Sequence, residues 1–446
     1  MRGTAPPLTP GAHPSQPDRP VHRPRIVINT AGSLGDLHPY VAIALALRER
    51  GADPVLATHG MYRARLETLG LGFHEVPPDL ADFGDLAETM KIAMDRMKGS
   101  EYVVRKLVLP YLAPTYAALE AACRDADLLV THPLSFAARI LAEKRRLKWV
   151  GTALQPLGMF STHDPSVLPF LPVTRHLRWM GPGVHGMLRK LAIVATRSWG
   201  KPVNEFRRSL GLLPSSQHPF LEGQFSTHGN LILFSRVLAP PQPDWPRVHV
   251  QTGFAFYDAD EGGRRLDPEL ARFLDAGEPP FVFTLGSAAV MDPRGFFLES
   301  ARAAQMLGER AVLLVGPESR TREGLPADAK LLVAAYAPFS ELFPRAAVNV
   351  HQGGIGTTGQ AMAAGRPMLV MPCAHDQPDN GYRCERLGIG LVIGRDQYHA
   401  SRVAPLLDRL VREPSFAARA GEVAREVHAE PGAAGAAQQL MHFAAE

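Results

Sequence analysis

The chain is 446 residues long, which is more than one hydrophobic core normally supports and predicts at least two domains. With 46% hydrophobic and 21% charged residues, the composition is typical of globular proteins and excludes a wholly disordered chain. The net charge of +4 is small for this length, so no nucleic-acid partner is expected, and no apolar run is long enough to predict a membrane-spanning helix.

Residues 1–24 contain seven prolines and no apolar core of the kind that signal peptides need. We therefore expect a disordered leader outside the fold. The three cysteines, Cys123, Cys373 and Cys384, are widely spaced and include no C-x-x-C pair. This spacing predicts neither a disulfide framework nor a structural zinc site, and it favours the reducing cytoplasm as the compartment.

From Arg25 onward, short apolar runs alternate with helical stretches, a pattern that predicts parallel sheets covered by helices on both faces. The predicted strands are 26–28, 54–57, 128–130, 148–150 and 231–234, then 281–284, 312–315, 348–350, 368–371 and 391–393. Prolines crowd residues 240–246 between the two groups and indicate a linker. The sequence therefore predicts an α/β protein with two doubly wound domains, 25–238 and 266–446, joined by residues 239–265. Ligands of such sheets bind beyond the carboxyl ends of the strands, so the two domains should face each other across a cleft.

The strongest local signal is the glycine-rich stretch 351–360, which follows a predicted strand and opens a predicted helix. Its glycines allow a ligand to approach the backbone closely, and a helix N-terminus attracts phosphate groups. The spacing G-x-G-x-x-G over 354–359 matches the dinucleotide fingerprint, which alone would indicate a nicotinamide or flavin enzyme. His351 ahead of the glycines, the Asp-Gln pair at 376–377, which suits sugar hydroxyls, and the location in the second domain argue against that interpretation.

The stretch 351–377 resembles the donor-binding signature of glycosyltransferase family 1, whose members have two Rossmann-like domains, the GT-B fold. The resemblance extends from about Arg25 to the C-terminus, and within the family it is greatest to the rhamnosyltransferases of rhamnolipid synthesis. It implies that the second domain binds a nucleotide-diphosphate sugar and that the first domain binds the acceptor. It also implies that the last helix packs back on the first domain.

The resemblance implies donor-binding roles for residues in several loops. Gly286 and Ser287 match the first loop of the second domain, which contacts the diphosphate. Tyr336 and Phe339 match the place where an aromatic ring stacks on the base, and His351 is expected to hydrogen-bond a diphosphate oxygen. The other implied donor residues lie in the glycine-rich stretch or shortly after it: Gly353, Gly354, Gly356, Thr357, Thr358, Gln360, Asp376 and Gln377.

Four departures from the plant-type pattern of the family concern the donor. Phe339 replaces a Gln, and the glycine-rich stretch is one residue longer. Tyr336 stands where Trp is usual, and Gln360 stands where a Glu commonly holds both ribose hydroxyls. A neutral amide is compatible with a deoxyribose. Gln360 therefore favours a dTDP-sugar over a UDP-sugar.

The loop 30–39 links the first predicted strand to the first predicted helix. Transfer of a sugar to an alcohol needs a base near the acceptor oxygen, and the resemblance implies this role for Asp36. A helix cap is the alternative role for Asp36. His38 is the second candidate base, because its ordinary pKa of about 6.5 suits proton transfer better than the value of about 3.9 for an Asp. The same loop supplies a candidate phosphate-binding set: Gly32, Ser33 and Gly35.

Two Asp-x-Asp patterns, 125–127 and 258–260, are interpreted as solvated loop carboxylates and not as metal ligands. The first precedes a predicted strand, at the end remote from ligands, and the second lies in the predicted linker. Charge on the leaving diphosphate is then stabilised by helix dipoles, backbone amides and His351. We therefore expect neither a metal nor another cofactor.

The sequence is less specific about the acceptor. His132 and Gln155 each follow a predicted strand and are expected to contact it, although His132 could equally be a structural histidine. Met94 belongs to a methionine stripe that suits either an acceptor pocket or ordinary core packing. The stretch 155–199 mixes large apolar residues with arginines and lysines. It is consistent with an acceptor channel, a basic amphipathic element on an anionic membrane surface, or an ordinary helix pair with a solvated basic face.

These observations predict an inverting, metal-independent glycosyltransferase that moves a hexose from a nucleotide-diphosphate sugar to a hydroxyl of a hydrophobic acceptor. The specific hypothesis is transfer of L-rhamnose from dTDP to a hydroxy-fatty-acid lipid. The alternatives are a UDP-glucose-dependent enzyme acting on a sterol, polyketide or phenolic, an NAD-dependent Rossmann oxidoreductase, and a catalytically silent nucleotide-sugar sensor. The sequence does not indicate an oligomeric state.

Overall fold

The computed structural model describes residues 22–258, 265–316, 324–326 and 328–446. Nearly all of the predicted leader, 1–24, lies outside the described residues. The described chain forms two sheets, and all strand pairs in both are parallel. The prediction of two α/β domains with parallel sheets is confirmed.

The first sheet has seven strands. These are β1 (Arg25–Asn29), β2 (Asp53–Thr58), β3 (Gly72–Glu75), β4 (Leu128–Thr131), β5 (Trp149–Ala153), β6 (Gly229–Ile232) and β7 (Val250–Gln251). Their order in the sheet is β3-β2-β1-β4-β5-β6-β7. Because β1, β4 and β5 are neighbouring parallel strands, the loops that follow them lie together at the carboxyl edge of the sheet.

The second sheet has six strands among the described residues. These are β8 (Phe281–Thr284), β9 (Ala311–Leu314), β10 (Leu331–Ala334), β11 (Val348–His351), β12 (Met368–Val370) and β13 (Gly390–Val392). Their order is β10-β9-β8-β11-β12-β13. Strands β8, β9, β11 and β12 are buried along their whole length, because helices cover both faces of the sheet. Alternate residues pack on opposite faces, with Phe281 and Phe283 in one core and Val282 in another.

Helices fill the connections between strands. In the first domain they are α1 (Leu34–Glu49), α2 (Arg63–Thr68), α3 (Leu86–Ala93), α4 (Gly99–Tyr102), α5 (Leu112–Ala122), α6 (Phe136–Arg145), α7 (Gly181–Ala195) and α8 (Lys201–Ser209). After β7 they are α9 (Pro268–Asp275), α10 (Gly286–Ala289), α11 (Phe296–Leu307), α12 (Phe339–Leu342), α13 (Ile355–Ala363), α14 (Gln377–Arg386), α15 (Ala400–Arg412), α16 (Pro414–His428) and α17 (Gly432–Ala445). None of the described helices combines the length and the apolar character that a bilayer span requires.

The segment predicted as a linker, 239–265, is partly a strand of the first sheet. Val250 and Gln251 form β7, which pairs with β6. The proline-rich stretch before β7 is anchored by Trp245, which is 7% exposed and packs edge-on against Phe234 with ring centroids 5.8 Å apart. A free linker would not bury a tryptophan, so this part of the segment belongs to the first domain. Residues 259–264 lie outside the described residues.

The last helix, α17, crosses back to the first domain and packs on α1. Leu440 and Phe443 of α17 belong to the apolar core that also contains Ile26 and Leu47 of the first domain. The ring of Phe443 lies against Gly229, where a Cβ would come within 2.6 Å of it. The two domains are therefore connected at two places, before α9 and before α17.

A buried ion-pair network also joins the domains. Arg383 of α14 is 2% exposed and pairs with Asp379 on its own helix at 2.9 Å and with Asp164 of the first domain. Asp379 in turn accepts the backbone N–H of Val167 at 2.8 Å. Because all three charged groups are nearly closed to water, the network depends on the two domains keeping this arrangement.

Candidate functional site between the two domains

The loop after β1 is shaped around Asp36. Gly32 has a φ of +124°, and a Cβ on it would lie 2.4 Å from Oδ2 of Asp36, so glycine is required there. Oδ2 accepts the backbone N–H of Ser33 at 2.9 Å, and Oγ of Ser33 accepts the N–H of Gly35 at 3.3 Å. These bonds form a capping box at the start of α1. Asp36 therefore does cap the helix, but the cap uses only Oδ2.

The other carboxylate oxygen of Asp36 is close to His132, which follows β4. Oδ1 lies 3.4 Å from Nε2 of His132. Nδ1 of His132 accepts the N–H of Leu134 at 3.2 Å, so a neutral ring carries its proton on Nε2, toward Asp36. The side chain of His132 is 5% exposed, whereas that of Asp36 is 36% exposed. Asp36 thus combines a buried partner with access to a ligand, as a general base requires.

His38 has different surroundings from Asp36. His38 comes two positions after Asp36 on α1, and residues two positions apart on a helix do not share a face. Nε2 of His38 lies 3.3 Å from Nη1 of Arg65, and its ring is edge-on to that of Tyr257 with centroids 5.4 Å apart. Burial, together with the charge of Arg65, lowers the pKa of His38 to about 4. These contacts favour Asp36 over His38 as the base.

In the glycine-rich stretch, His351 ends β11 and is fully buried. Its Nδ1 accepts the N–H of Gly353 at 3.0 Å, and its Nε2 has no hydrogen-bond partner among the described residues. Burial lowers the pKa of His351 to about 3, so the ring is neutral at pH 7. Since the side chain has no exposed surface, His351 cannot contact a diphosphate oxygen in this structure as expected. The contact that His351 makes here is with the glycine loop, through Gly353.

The N-terminus of α13 is the part of this stretch that is open to an anion. Gly354 begins the helix without a side-chain cap, and the N–H groups of a first turn have no partner within the helix. Gly356 in that turn is exposed, and a Cβ on it would meet no atom within 4 Å. Gln360 lies one turn further on the same face and is 9% exposed. Thr357 is 8% exposed, whereas Thr358 is fully buried and its side chain is directed into the protein.

The loop after β8 lies against the same helix start. Gly286 has a φ of +65°, and a Cβ on it would lie 2.4 Å from Nε2 of Gln352. A Cβ on Gly354 would lie 2.8 Å from the same nitrogen. The amide of Gln352 therefore packs against both loops, and only glycines fit beside it. Ser287, next to Gly286, is exposed.

The loop after β12 is organised by Gln377. Its Oε1 accepts the backbone N–H groups of Cys373 at 2.8 Å and Ala374 at 3.0 Å. The side chain is 6% exposed. The expectation that this carbonyl oxygen recognises a sugar hydroxyl is not supported, because two backbone donors already occupy it.

Asp376 is held at the same loop by a residue that the sequence analysis missed. Nδ2 of Asn380 donates to Oδ2 of Asp376 at 2.6 Å and to the carbonyl of Gly353 at 2.9 Å, which ties this loop to the glycine loop. Burial raises the pKa of Asp376 to about 7, and the charge of Asp36 in the first domain adds to the shift. Because Asn380 ties Asp376 to the loop before α13, and α13 contacts α1, a carboxyl group from each domain borders this contact.

Other contacts across the domain junction involve α4 and the segment before it. Oγ of Ser100 lies 3.1 Å from Nδ1 of His375. Met94 is 6% exposed and belongs to a core formed otherwise by the second domain, including Ala289 of α10. Its predicted role as an acceptor contact is not supported, because the side chain serves interdomain packing. Gln155 follows β5 and is half-buried.

The two aromatic residues assigned to the base differ in availability. Tyr336 follows β10, is 41% exposed, and donates its hydroxyl to the carbonyl of Asp258. Phe339 already stacks on Phe343, with centroids 4.4 Å apart. Tyr336 therefore offers the more accessible ring.

Of the Asp-x-Asp carboxylates, Asp125 is exposed, as expected, whereas Asp127 and Asp258 have structural roles. Asp127 accepts the backbone N–H of Arg25 at 2.7 Å, and Asp258 accepts that of Ser340 at 2.6 Å. Asp258 is only 5% exposed. Asp260 lies outside the described residues. The three cysteines are buried and unpaired.

His59 and Tyr62, which hold the Gly32 loop, were also missed. The N–H of Gly32 donates to Nε2 of His59 at 3.1 Å, and its carbonyl accepts from the hydroxyl of Tyr62 at 2.9 Å. His59 directly follows β2, the neighbour of β1 in the sheet. Its position at the carboxyl end of an adjacent strand was the signal that could have identified it.

Two parts of the chain match models of known families. The C-terminal domain of erythromycin biosynthesis protein CIII-like proteins matches residues 308–443, and the N-terminal domain of glycosyltransferase family 28 matches residues 26–153. The chain is also similar to O-mycaminosyltylonolide 6-deoxyallosyltransferase of Streptomyces fradiae. The two are 32% identical over 431 residues, which cover 94% of this chain and 97% of that protein.

Solved structures show the same architecture at low sequence identity. The glycosyltransferase of kitacinnamycin has a TM-score of 0.72 at 18% identity and covers 95% of this chain and 99% of its own. The spinosyn rhamnosyltransferase SpnG, complexed with thymidine diphosphate, has a TM-score of 0.63 at 18% identity, with 94% and 100% covered. At these identities the similarity shows a common fold and nothing more specific.

Proposed function

Since the chain belongs to the EryCIII-like glycosyltransferases of families 1 and 28, nucleotide-sugar-dependent enzymes with the GT-B fold, we propose that it transfers a deoxyhexose from a dTDP-sugar to a hydroxyl of a hydrophobic acceptor. The first candidates are dTDP-L-rhamnose as donor and a hydroxy-fatty-acid lipid as acceptor. One observation supports this most strongly. Helix α13, whose start is open at Gly356, contacts α1, the helix that begins beside the accessible carboxylate of Asp36.

The proposed reaction is a direct displacement with inversion. The acceptor hydroxyl loses its proton to Oδ1 of Asp36 while its oxygen bonds to the anomeric carbon. The bond from that carbon to the diphosphate breaks on the opposite side, and dTDP leaves with the electron pair. Backbone N–H groups and the helix dipole of α13 stabilise the charge on the leaving diphosphate, so a metal is not required. His132 stabilises the charged form of Asp36 before the proton arrives.

The preference for dTDP is supported by one residue and two relatives. Gln360 lies on the face of α13 that carries the open Gly356, and its neutral amide suits a deoxyribose. The structure of SpnG contains thymidine diphosphate, and the relative from Streptomyces fradiae is by name a deoxyhexosyltransferase. Together these observations favour a dTDP-deoxyhexose over UDP-glucose.

Thermal unfolding with a panel of nucleotides tests the proposal. At about one hundred times its Kd, a ligand stabilises a protein by about 2.7 kcal/mol, which raises Tm by roughly 5–10 °C for a domain of this size. We expect such a shift with dTDP or dTDP-rhamnose and a smaller one with UDP. An equal or larger shift with UDP would favour the glucosyltransferase alternative. A shift with NADH and none with either nucleotide would contradict glycosyl transfer and favour an oxidoreductase.

A further inference from the structure

Large apolar side chains are exposed mainly in one segment of the first domain. Of the seventeen that are exposed among the described residues, nine lie between residues 170 and 194. These are Phe170, Leu171, Val173, Trp179, Met180, Met187, Leu188, Leu191 and Val194. Trp179 is 82% exposed and Val194 is 70% exposed. Exposed apolar residues that occur singly are normal on a protein surface, whereas a concentration of them in one segment marks an interaction surface.

Helix α7 gives this surface a regular face. Met187, Leu191 and Val194 recur at i, i+4 and i+7, so they line one side of the helix. His185 is the only buried residue in α7. The helix therefore presents its apolar side outward, and nothing in the described part of the chain covers it.

The charge of the same segment has one sign. Between Asp164 and Glu205 the sequence contains no acidic residue, whereas it contains six basic ones: Arg175, Arg178, Arg189, Lys190, Arg197 and Lys201. Arg178 pairs with Asp164, and Lys201 lies 3.9 Å from Glu205. The other four have no carboxylate within 4 Å among the described residues, and Arg175, Lys190 and Arg197 are exposed. An apolar face flanked by basic side chains, with no acidic residue among them, fits a surface that is both apolar and anionic.

We propose that the segment 170–201, here called the docking segment, binds the surface of a membrane that contains anionic lipids. Its apolar side chains enter the boundary between headgroups and acyl chains, and Lys190 and Arg197 contact the headgroups. Both features are needed for such binding, because apolar burial supplies attachment while the cations select anionic lipid. A second copy of this chain as the occupant would bring the four basic residues that have no carboxylate partner against the same four of the first copy, with no acidic residue between Asp164 and Glu205 to compensate them.

The position of the docking segment connects it to the donor loops. Arg178 shares Asp164 with the buried Arg383 of α14, and the hydroxyl of Tyr382 donates to the carbonyl of Arg175 at 3.3 Å. Helix α14 directly follows the loop that contains Asp376. A lipid acceptor leaving the membrane would therefore enter beside the domain junction, a consequence that rests on the proposed function.

Binding to vesicles tests the proposal directly. The full chain is mixed with vesicles of phosphatidylcholine alone or of equal parts phosphatidylcholine and phosphatidylglycerol, without donor or acceptor. We expect sedimentation with the phosphatidylglycerol vesicles only, weaker binding at high salt, and a blue shift of Trp179 fluorescence that is lost in Trp179→Phe. The double variant Lys190→Gln/Arg197→Gln should bind about thirty-fold more weakly, since each basic residue near the surface contributes about five-fold.

The control has the same charge change elsewhere. Arg247 and Arg402 are exposed residues outside the docking segment, and Arg247→Gln/Arg402→Gln should bind vesicles like the unaltered protein. Equal weakening in both double variants would overturn the proposal, because it would indicate a general charge effect. Binding that does not depend on phosphatidylglycerol would also overturn it.

Light scattering after size exclusion distinguishes membrane binding from self-association of the chain. Leu191→Ser should weaken vesicle binding without changing molecular mass, while Met306→Ser, an exposed apolar residue on α11, should change neither. A dimer that Leu191→Ser dissociates, with no vesicle binding by the unaltered chain, would assign the face to self-association instead. Vesicle binding is measured without nucleotide, so its failure would leave the test of glycosyl transfer unaffected.

Discussion

Replacing Asp36 by Asn should separate transfer from donor binding. In the structure Oδ2 of Asp36 caps α1 through Ser33, and Oδ1 lies 3.4 Å from Nε2 of His132. An Asn can keep the cap with its single oxygen, but its NH₂ then meets the Nε2–H of His132, which places two donors together. We expect the variant to fold, with a loss of roughly 1–2 kcal/mol in the free energy of unfolding.

The effect on catalysis should be far larger than the effect on stability. A positioned general base contributes roughly 10²–10⁴ in rate, which corresponds to about 3–5 kcal/mol of activation free energy. Asp36 belongs to the first domain, whereas the proposed diphosphate site is the start of α13, so the Kd for dTDP should stay within about two-fold. The assay is single-turnover transfer from dTDP-rhamnose to a hydroxylated acceptor that the unaltered enzyme uses, followed by mass spectrometry, with Kd measured by calorimetry.

A matched control comes from another helix start. Asp267 caps α9 by accepting the N–H of Glu269 at 2.8 Å, and it lies outside the candidate site. Asp267→Asn should leave the transfer rate within about two-fold of the unaltered enzyme. A folded Asp36→Asn protein whose transfer rate falls less than about ten-fold would refute the assignment of the base, and His38 would be the next residue to replace.

Three further predictions concern Asp376, the interdomain ion pairs and metals. Burial raises the pKa of Asp376 to about 7, above its unfolded value, so the folded state holds the extra proton and stability should fall as pH rises from about 4 to 7. Between pH 5 and pH 8, guanidinium unfolding should show a fall in the free energy of unfolding that is roughly 1–3 kcal/mol smaller in Asp376→Asn than in the unaltered protein. An equal fall in both proteins would contradict the raised pKa of Asp376. Arg383→Met should cost about 3–5 kcal/mol in the free energy of unfolding, because it leaves the buried carboxylate of Asp379 without a cation and Asp164 with only the pairs to Arg178 and Arg386. A cost below about 1 kcal/mol would be inconsistent with the network. EDTA should leave the rate of sugar transfer unchanged, and a loss that Mg²⁺ restores would disprove metal independence.

The fold could be predicted from the sequence because its determinants are local. Buried parallel strands such as β8 and β9 are largely apolar runs, and glycines mark the loops that follow them. Gly353 illustrates this: its φ of +86° and the closeness of Val370 leave no room for a side chain. Such requirements are visible in a sequence without knowledge of any distant contact.

The details of the site depend on distant contacts, which the sequence does not contain. His351 was expected to reach a ligand, but its burial follows from how the helices cover the second sheet. Ser100 and His375 are 275 residues apart, and their contact exists only because the domains pack as they do. Asn380 was missed for the same reason, since its bond to Gly353 joins two loops that follow different strands.

The most direct test of the central claim is the affinity for dTDP of Gly356→Asp. The exposed Gly356 lies in the first turn of α13, where a Cβ meets no atom within 4 Å, so an Asp fits and an acidic residue suits that helix end. The variant should therefore unfold at the same or a higher temperature. Its carboxylate would nevertheless occupy the proposed diphosphate site, and we expect at least a hundred-fold loss of dTDP affinity by calorimetry, against less than about five-fold for Gly356→Ala. Unchanged dTDP binding by a folded Gly356→Asp protein would contradict the claim that the diphosphate binds at the start of α13.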